Sequence, residues 1–267
     1  MKRRIGSIVL IAIWLFAWGS HGIIIRHDVA PGEYLLHSSE FPQVFYLERQ
    51  GHRRVCAATL IDSRWALTAA HCVNETSLAE TIAGGKEFDV EISSYLREID
   101  LVITHPDYLS KVRPEVDLAL LRFKDVLVTP RPIPINETVS ELGEIVTLIG
   151  WGYFGLGTTG RQYDDGEKRW AHNRIIEANE RLRSFFDDPR VNSNSALPME
   201  GTLGLGDSGG PALINTEDGF RIAGIAIGEI EGSEYSEETQ GKYGSIAIYE
   251  RISIHINWIN SVINAEN

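Results

Sequence analysis

Short runs rich in β-branched and aromatic residues recur along the whole chain, and clusters of Gly, Pro, Asn or Asp separate many of them. The runs are Gln43–Leu47, Ala57–Ile61, Trp65–Ala69, Leu118–Phe123, Glu144–Ile149, Ile222–Ile227 and Gly244–Tyr249. Elements this short, with turn residues between them, fit an antiparallel sandwich or barrel and do not fit alternating strands and helices. The exception is C-terminal, where Ile256, Ile259, Val262 and Ile263 fall at helical spacing and predict a helix over about Ser253–Ile263. Arg174–Phe186 reads equally as a strand and turn or as a short helix. Thr129-Pro130-Arg131-Pro132-Ile133-Pro134 reads as a stiff extended connector near the middle of the chain. Gly152–Lys168, glycine-rich and polar, predicts a mobile surface loop. The expected class is all-β.

The N-terminus bears on the compartment. Lys2, Arg3 and Arg4 precede an apolar stretch from Ile5 to Trp18, and small residues follow at Gly19, Ser20 and Gly22. That order reads as a secretory signal peptide over 1–22, and a secreted or periplasmic protein follows from it. The competing reading is an uncleaved anchor, because no charged residue occurs between Ile5 and Ile25. Net charge is −12, and loss of three basic residues with the signal would make it −15. A chain this acidic is a poor partner for nucleic acid or anionic membrane, both of which want basic surface. The two cysteines, Cys56 and Cys72, are an even pair in an exported chain, which favours a disulfide. Closing that loop stabilises the fold by roughly 3 kcal/mol. Two cysteines beside one histidine lack the spacing of a zinc site, so no metal and no cofactor is expected.

Three segments carry chemistry: Leu67-Thr68-Ala69-Ala70-His71-Cys72, Asp117-Leu118-Ala119-Leu120-Leu121 and Gly206-Asp207-Ser208-Gly209-Gly210-Pro211. Alone, His71 would be an ordinary core histidine, Asp117 a solvated strand end and Ser208 part of a glycine turn. In series they supply a base, an orienting acid and a nucleophile, the minimum set for covalent acyl transfer. The backbone N–H groups of Gly206 and Ser208 would receive the oxyanion. Two other matches fail on context. Gly206–Gly210 also fits the G-x-S-x-G elbow, but there the acid and histidine follow the serine, whereas here both precede it. Gly155-Leu156-Gly157-Thr158-Thr159-Gly160 fits a dinucleotide fingerprint, yet no apolar helix follows. Asn74-Glu75-Thr76 and Asn136-Glu137-Thr138 are glycosylation sequons, meaningful only in a source that glycosylates.

On these motifs, with Gly150-Trp151-Gly152 and the final helix after Tyr249-Glu250-Arg251-Ile252, the chain resembles the trypsin/chymotrypsin-like serine peptidases over nearly all of residues 23–267. The resemblance implies two six-stranded antiparallel β-barrels, about 23–132 and about 133–252, with a helix at about 253–263 and the active site between the barrels. It implies a Cys56–Cys72 bridge. Because other bridges usual in animal members are missing, it implies a bacterial-style exported member. It also implies activation by an apolar N-terminus, here Ile23 (with Ile24 or Ile25 as alternative registers), whose ammonium pairs with Asp207. The implied specificity pocket has Thr202 at its base, Gly228 and Glu229 on the substrate strand and Ala247 in the wall. A neutral Thr202 argues against Arg/Lys recognition. Ile227 would forfeit a hydrogen bond that the family usually gives its aspartate. The expected function is a metal-free, monomeric serine endopeptidase acting on polypeptides, with a protein inhibitor as a candidate partner. The rivals are a catalytically silent binding or scaffold protein on the same fold and an esterase using the same triad.

Overall fold

The computed structural model describes residues 23–110, 115–191, 193–231 and 240–266; the signal segment expected at 1–22 lies outside them. In chain order the strands are β1 (Ile24–Ile25), β2 (Val44–Gln50), β3 (Arg53–Leu60), β4 (Trp65–Thr68), β5 (Phe88–Ile92), β6 (Tyr95–Thr104), β7 (Ala119–Phe123), β8 (Ile145–Gly150), β9 (Phe154–Leu156), β10 (Gly160–Tyr163), β11 (Arg169–Ala178), β12 (Arg181–Phe185), β13 (Gly201–Thr202), β14 (Pro211–Thr216), β15 (Gly219–Glu231) and β16 (Ser245–Arg251). Helices α1 (Ala70–Glu75) and α2 (Leu78–Ala83) follow β4, and α3 (Ile256–Glu266) closes the chain.

Alternation builds the first sheet. In β5, Phe88, Val90 and Ile92 are buried while Asp89 and Glu91 face water, so the period of two turns one edge of the strand inward. Strands β2-β3-β4-β7-β6-β5 form a six-stranded antiparallel sheet whose ends β2 and β5 lie against each other, leaving it nearly closed. Val44, Phe45, Leu60, Trp65, Leu67, Leu120 and Phe123 fill it. Each fully buried side chain of the Leu67 kind stabilises the fold by about 1.5–3 kcal/mol. The second half is a closed six-stranded barrel in the order β11-β12-β16-β15-β14-β8. The architecture is therefore the two-barrel, all-β fold that the resemblance implies.

One segment departs from its sequence reading, and one that read equally as strand or helix proves to be strand. Residues 152–168, read as a mobile loop, contain β9 and β10, which join β1 and β13 in a four-stranded sheet. Gly155 is there because those strands touch: a Cβ on it would sit 1.9 Å from the Gly160 carbonyl oxygen. Strand β1, first in sequence, pairs with the second half, Ile24 opposite both Thr202 and Gly155. Arg174–Phe186, left open, is the end of β11, a turn and β12.

The connector at 129–136 laces both halves together. Ile133 N–H donates to Leu60 O, and Ile222 N–H donates to Pro134 O. Helix α3 packs Ile259 against the first core, with Trp258, Val262 and Ile263 beside it. That core also takes in Ile149, Trp151, Leu213, Ile222 and Ile225 from the second half, so the apolar interior is continuous across the junction. Lys168 pins the junction from one side. Its buried Nζ donates to the carbonyls of Glu40, Phe41 and Val44 and lies 4.9 Å from the Trp151 ring centre, and burial pushes its ammonium down to about 8.

Candidate active site

His71 lies in the first turn of α1, where the chain leaves β4. Its backbone N–H donates to Asp117 Oδ1 at 2.8 Å, and its Nδ1 lies 2.5 Å from Asp117 Oδ2. An ionised carboxylate only accepts, so Nδ1 carries the proton and Nε2 presents its lone pair. Burial works against a charged ring, but the hydrogen bond and charge of Asp117 outweigh it and hold His71 above its usual range.

Ser208 lies in the turn between β13 and β14. Its carbonyl accepts from Ala57 N–H at 2.7 Å, next to Cys56. Cys56 is bonded to Cys72, the neighbour of His71. The disulfide thus ties the strand that holds the serine turn to the helix that holds the imidazole. His71 Nε2 lies 3.8 Å from Cys72 Sγ, and among the described residues no hydrogen bond joins it to the Ser208 hydroxyl. The two sulfurs are bonded to each other and offer no thiolate to a metal.

Two glycines let the serine turn seat itself. Gly209 has φ +78°, and a Cβ there would lie 2.1 Å from Ala57 O and 2.4 Å from Thr68 Oγ1. Gly206 has φ +105°. In this turn the amides of Asp207, Gly209 and Gly210 donate to Gly204 O, Ala226 O and Asp207 O. Among the described residues the Gly206 and Ser208 amides have no such acceptor, which is the arrangement an oxyanion site requires.

Asp207 is buried, its two oxygens accepting from Gly152 N–H at 2.6 Å and Gly204 N–H at 2.7 Å. Burial pushes its carboxyl up to about 6 against the pull of those two donors. The Gly150-Trp151-Gly152 motif has its reason here. A Cβ on Gly150 would lie 1.9 Å from Asp207 Oδ1, and one on Gly152 would lie 2.7 Å from Asp207 N. Ile23, Ile24 and Ile25 are all buried. Antiparallel pairing of Ile24 with Thr202 sets Ile23 at the level of Leu203, one residue from the Gly204 amide that holds Asp207.

Of the other expected pocket residues, Thr202 is buried on β13, and its Oγ1 has no hydrogen-bond partner among the described residues. No atom of the described residues lies within 4 Å of where a Gly228 side chain would stand, although its φ of +158° disfavours one. Ala247 is buried on β16 opposite Glu229, whose carboxylate accepts from Gly241 N–H at 3.0 and 3.1 Å. Sequence reasoning gave no pocket role to Ser184, Ser245 or Tyr249, whose buried hydroxyls make no hydrogen bond of normal geometry among the described residues. Ser184 stands opposite Ala247, and Ser245 and Tyr249 flank Ala247 on the same face of β16. Glu250 was also missed as a site residue; its backbone partner Asp117 is distant in sequence, and no motif spacing marks it.

Comparison with known proteins identifies the family. The family described as Trypsin matches residues 36–259. Duodenase-1 of Bos taurus is 24% identical over 264 residues, covering 96% of this chain and 95% of that protein. Phenoloxidase-activating factor 3 of Holotrichia diomphalia is 29% identical over 233 residues, 76% of this chain and 62% of its own length. Vitamin K-dependent protein C of Mus musculus is 27% identical over 237 residues, 78% of this chain and 46% of its own length. The chain thus spans about half to two-thirds of these last two relatives. All three are animal proteins and lend no support to a bacterial-style placement.

Proposed function

The chain belongs to the trypsin family of serine peptidases, and from that premise we propose that it is a secreted endopeptidase that cleaves polypeptides through an acyl-enzyme on Ser208. The His71–Asp117 pair at 2.5 Å is the observation that carries the reading. With Nδ1–H held by Asp117, His71 Nε2 takes the Ser208 proton as Oγ bonds to the substrate carbonyl carbon. The resulting oxyanion is received by the N–H groups of Gly206 and Ser208. Nε2 then gives its proton to the departing amine as the C–N bond breaks. Water, deprotonated by the same nitrogen, releases the acid and restores Ser208.

Activation follows from the surroundings of Asp207. Cleavage before Ile23, as signal removal after Gly22 would give, creates an ammonium one residue from the Gly204 amide. A charge there offsets the burial of the Asp207 carboxylate and orders the loop that bears Gly206. The register of β1 favours Ile23 over Ile24 or Ile25. With Thr202 neutral, Ala247 in the wall and no described residue crowding Gly228, the pocket suits apolar or small polar side chains rather than Arg or Lys.

The test is digestion of a diverse peptide library by the secreted protein and its Ser208→Ala variant, read by mass spectrometry, with N-terminal sequencing of the active form. Cuts made only by the Ser208 protein, after apolar or small residues, support the reading. An Ile23-start protein that makes no cuts removes it in favour of a silent scaffold, and ester turnover without amide turnover favours an esterase.

A further inference from the structure

The carboxylate of Asp117 makes its two described hydrogen bonds to His71, one to the ring and one to the backbone N–H. What holds Asp117 from elsewhere is its own backbone: its N–H donates to Glu250 Oε1 at 3.0 Å. The Glu250 side chain is only 2% exposed. The same oxygen accepts from Arg181 Nε at 3.0 Å and lies 2.8 Å from Arg181 Nη2, which also donates to Glu115 O at 2.7 Å. Residues on β12, on β16 and on the segment before β7 are thereby joined at one carboxylate.

Resting on the triad reading above, we infer that Glu250, held by Arg181, is a positioning residue that fixes the Asp117 backbone and places a second negative charge behind the His71–Asp117 pair. A buried carboxylate costs free energy unless paired and hydrogen-bonded, and Glu250 is both. Burial, helped by the Asp117 charge, holds its carboxyl above the usual range, and the Asp117 N–H and Arg181 offset only part of that. Glu250 borders a cavity of about 190 Å³ also lined by Asp107, Glu115, Glu180, Arg181 and His255. Of these, His255 Nε2 lies 3.9 Å from Glu250 Oε2, and burial pushes that imidazole down to about 4, so it is neutral at neutral pH. Arg181 is then the cation that balances Glu250 in this cluster. An imidazolium forming at His71 faces Asp117 directly, Glu75 on its own helix and Glu115 on the segment before β7 also favour its charge, and Glu250 stands behind Asp117 as a further carboxylate.

Charge and reach separate in two substitutions. Glu250→Gln keeps an oxygen at the right length for the Asp117 N–H but removes the charge. Glu250→Asp keeps the charge but is one methylene too short. The readout is an NMR titration of the His71 ring in the Ser208→Ala protein, assigned against His71→Gln, which needs no turnover. Glu250→Gln lowers the His71 midpoint by on the order of half a pH unit. Glu250→Asp leaves it within about 0.2 pH unit. In the Ser208 protein, Glu250→Asp lowers kcat about ten-fold while KM changes less than about two-fold, the mark of lost alignment rather than lost binding. A His71 midpoint unmoved by Glu250→Gln, or moved as far by Glu250→Asp, overturns the inference. A protein inert towards all peptides whose His71 still titrates as described supports it and removes only the peptidase reading.

Discussion

On the proposed activation by an Ile23 ammonium, neutralising Asp207 should stabilise the chain before cleavage and destabilise it afterwards. Ahead of activation the carboxyl titrates near 6 instead of 3.8, because burial outweighs the two amides that hold it. The folded chain therefore binds this proton more tightly than the unfolded chain does. Stability contributed by the protonated form is complete below about 3.8 and is lost as pH rises through about 6. At about 1.4 kcal/mol per pH unit, the loss is about 3 kcal/mol by neutral pH. Asp207→Asn removes that loss but leaves one of the Gly152 and Gly204 amides facing an NH₂ group, a cost of about 1–3 kcal/mol that does not depend on pH. The measurement is urea unfolding followed by Trp fluorescence in the Ser208→Ala background, with a short neutral extension before Ile23. The free-energy difference between the proteins with and without Asp207→Asn should grow by about 3 kcal/mol in favour of the substitution between about pH 3.5 and about pH 7.5. Glu200, pushed up to about 7 by burial, titrates in the same window and cancels in the difference. In a chain starting at Ile23 the sign reverses, since Asp207→Asn then leaves a buried ammonium unpaired at a cost of about 3–5 kcal/mol. A difference that is flat with pH in the extended chain, or that favours the substitution in the Ile23-start chain, refutes the reasoning.

Other outcomes follow from single sites. Ser93 and Ser94 form a two-residue hairpin turn with φ of 54° and 67°, so replacing them with Asn and Gly should stabilise the protein by about 0.5–1 kcal/mol, read as a rise in Tm. Replacing Cys56 and Cys72 together with Ala should cost about 3 kcal/mol in urea unfolding, given their separation of 16 residues. If Asp117 holds His71 above its usual range, the acidic limb of kcat/KM lies above about 6.5. Asp117→Asn should move that limb down and lower kcat by about 10⁴-fold, which a pH series of peptide hydrolysis measures.

Much of this fold is legible where burial is one-sided and the runs are apolar. Ala119–Phe123, Ile145–Gly150 and Ser245–Arg251 fall within a residue or two of the runs read from composition. Strands β6 and β11 escaped because their faces are mixed: Tyr95–Thr104 is mostly half-exposed, and Arg169–Ala178 carries charges among its buried positions. Strand β9, and β10 which pairs on it, escaped because the apolar partners of β9, Ile24 and Ile25, lie more than a hundred residues away in sequence. The C-terminal helix was read about three residues early because Ile252–Ile254 forms a separate 3₁₀ turn. The triad candidates stood in recognisable surroundings. Arg181 did not, and Glu250 was read only within the run leading to the final helix, since nothing in a linear pattern states that two charged strand residues will meet behind an aspartate.

The glycines around Asp207 have a consequence for how such a chain can change. Gly150, Gly152 and Gly204 approach one turn from two segments, and even a methyl group on any of them would strike backbone or carboxylate within 3 Å. Each therefore has no tolerated neighbour one mutation away. By contrast Thr202, proposed as the base of the pocket, carries a hydroxyl with no partner among the described residues, so exchanging it breaks no hydrogen bond there. Drift is blocked where the turn is built and freer at Thr202.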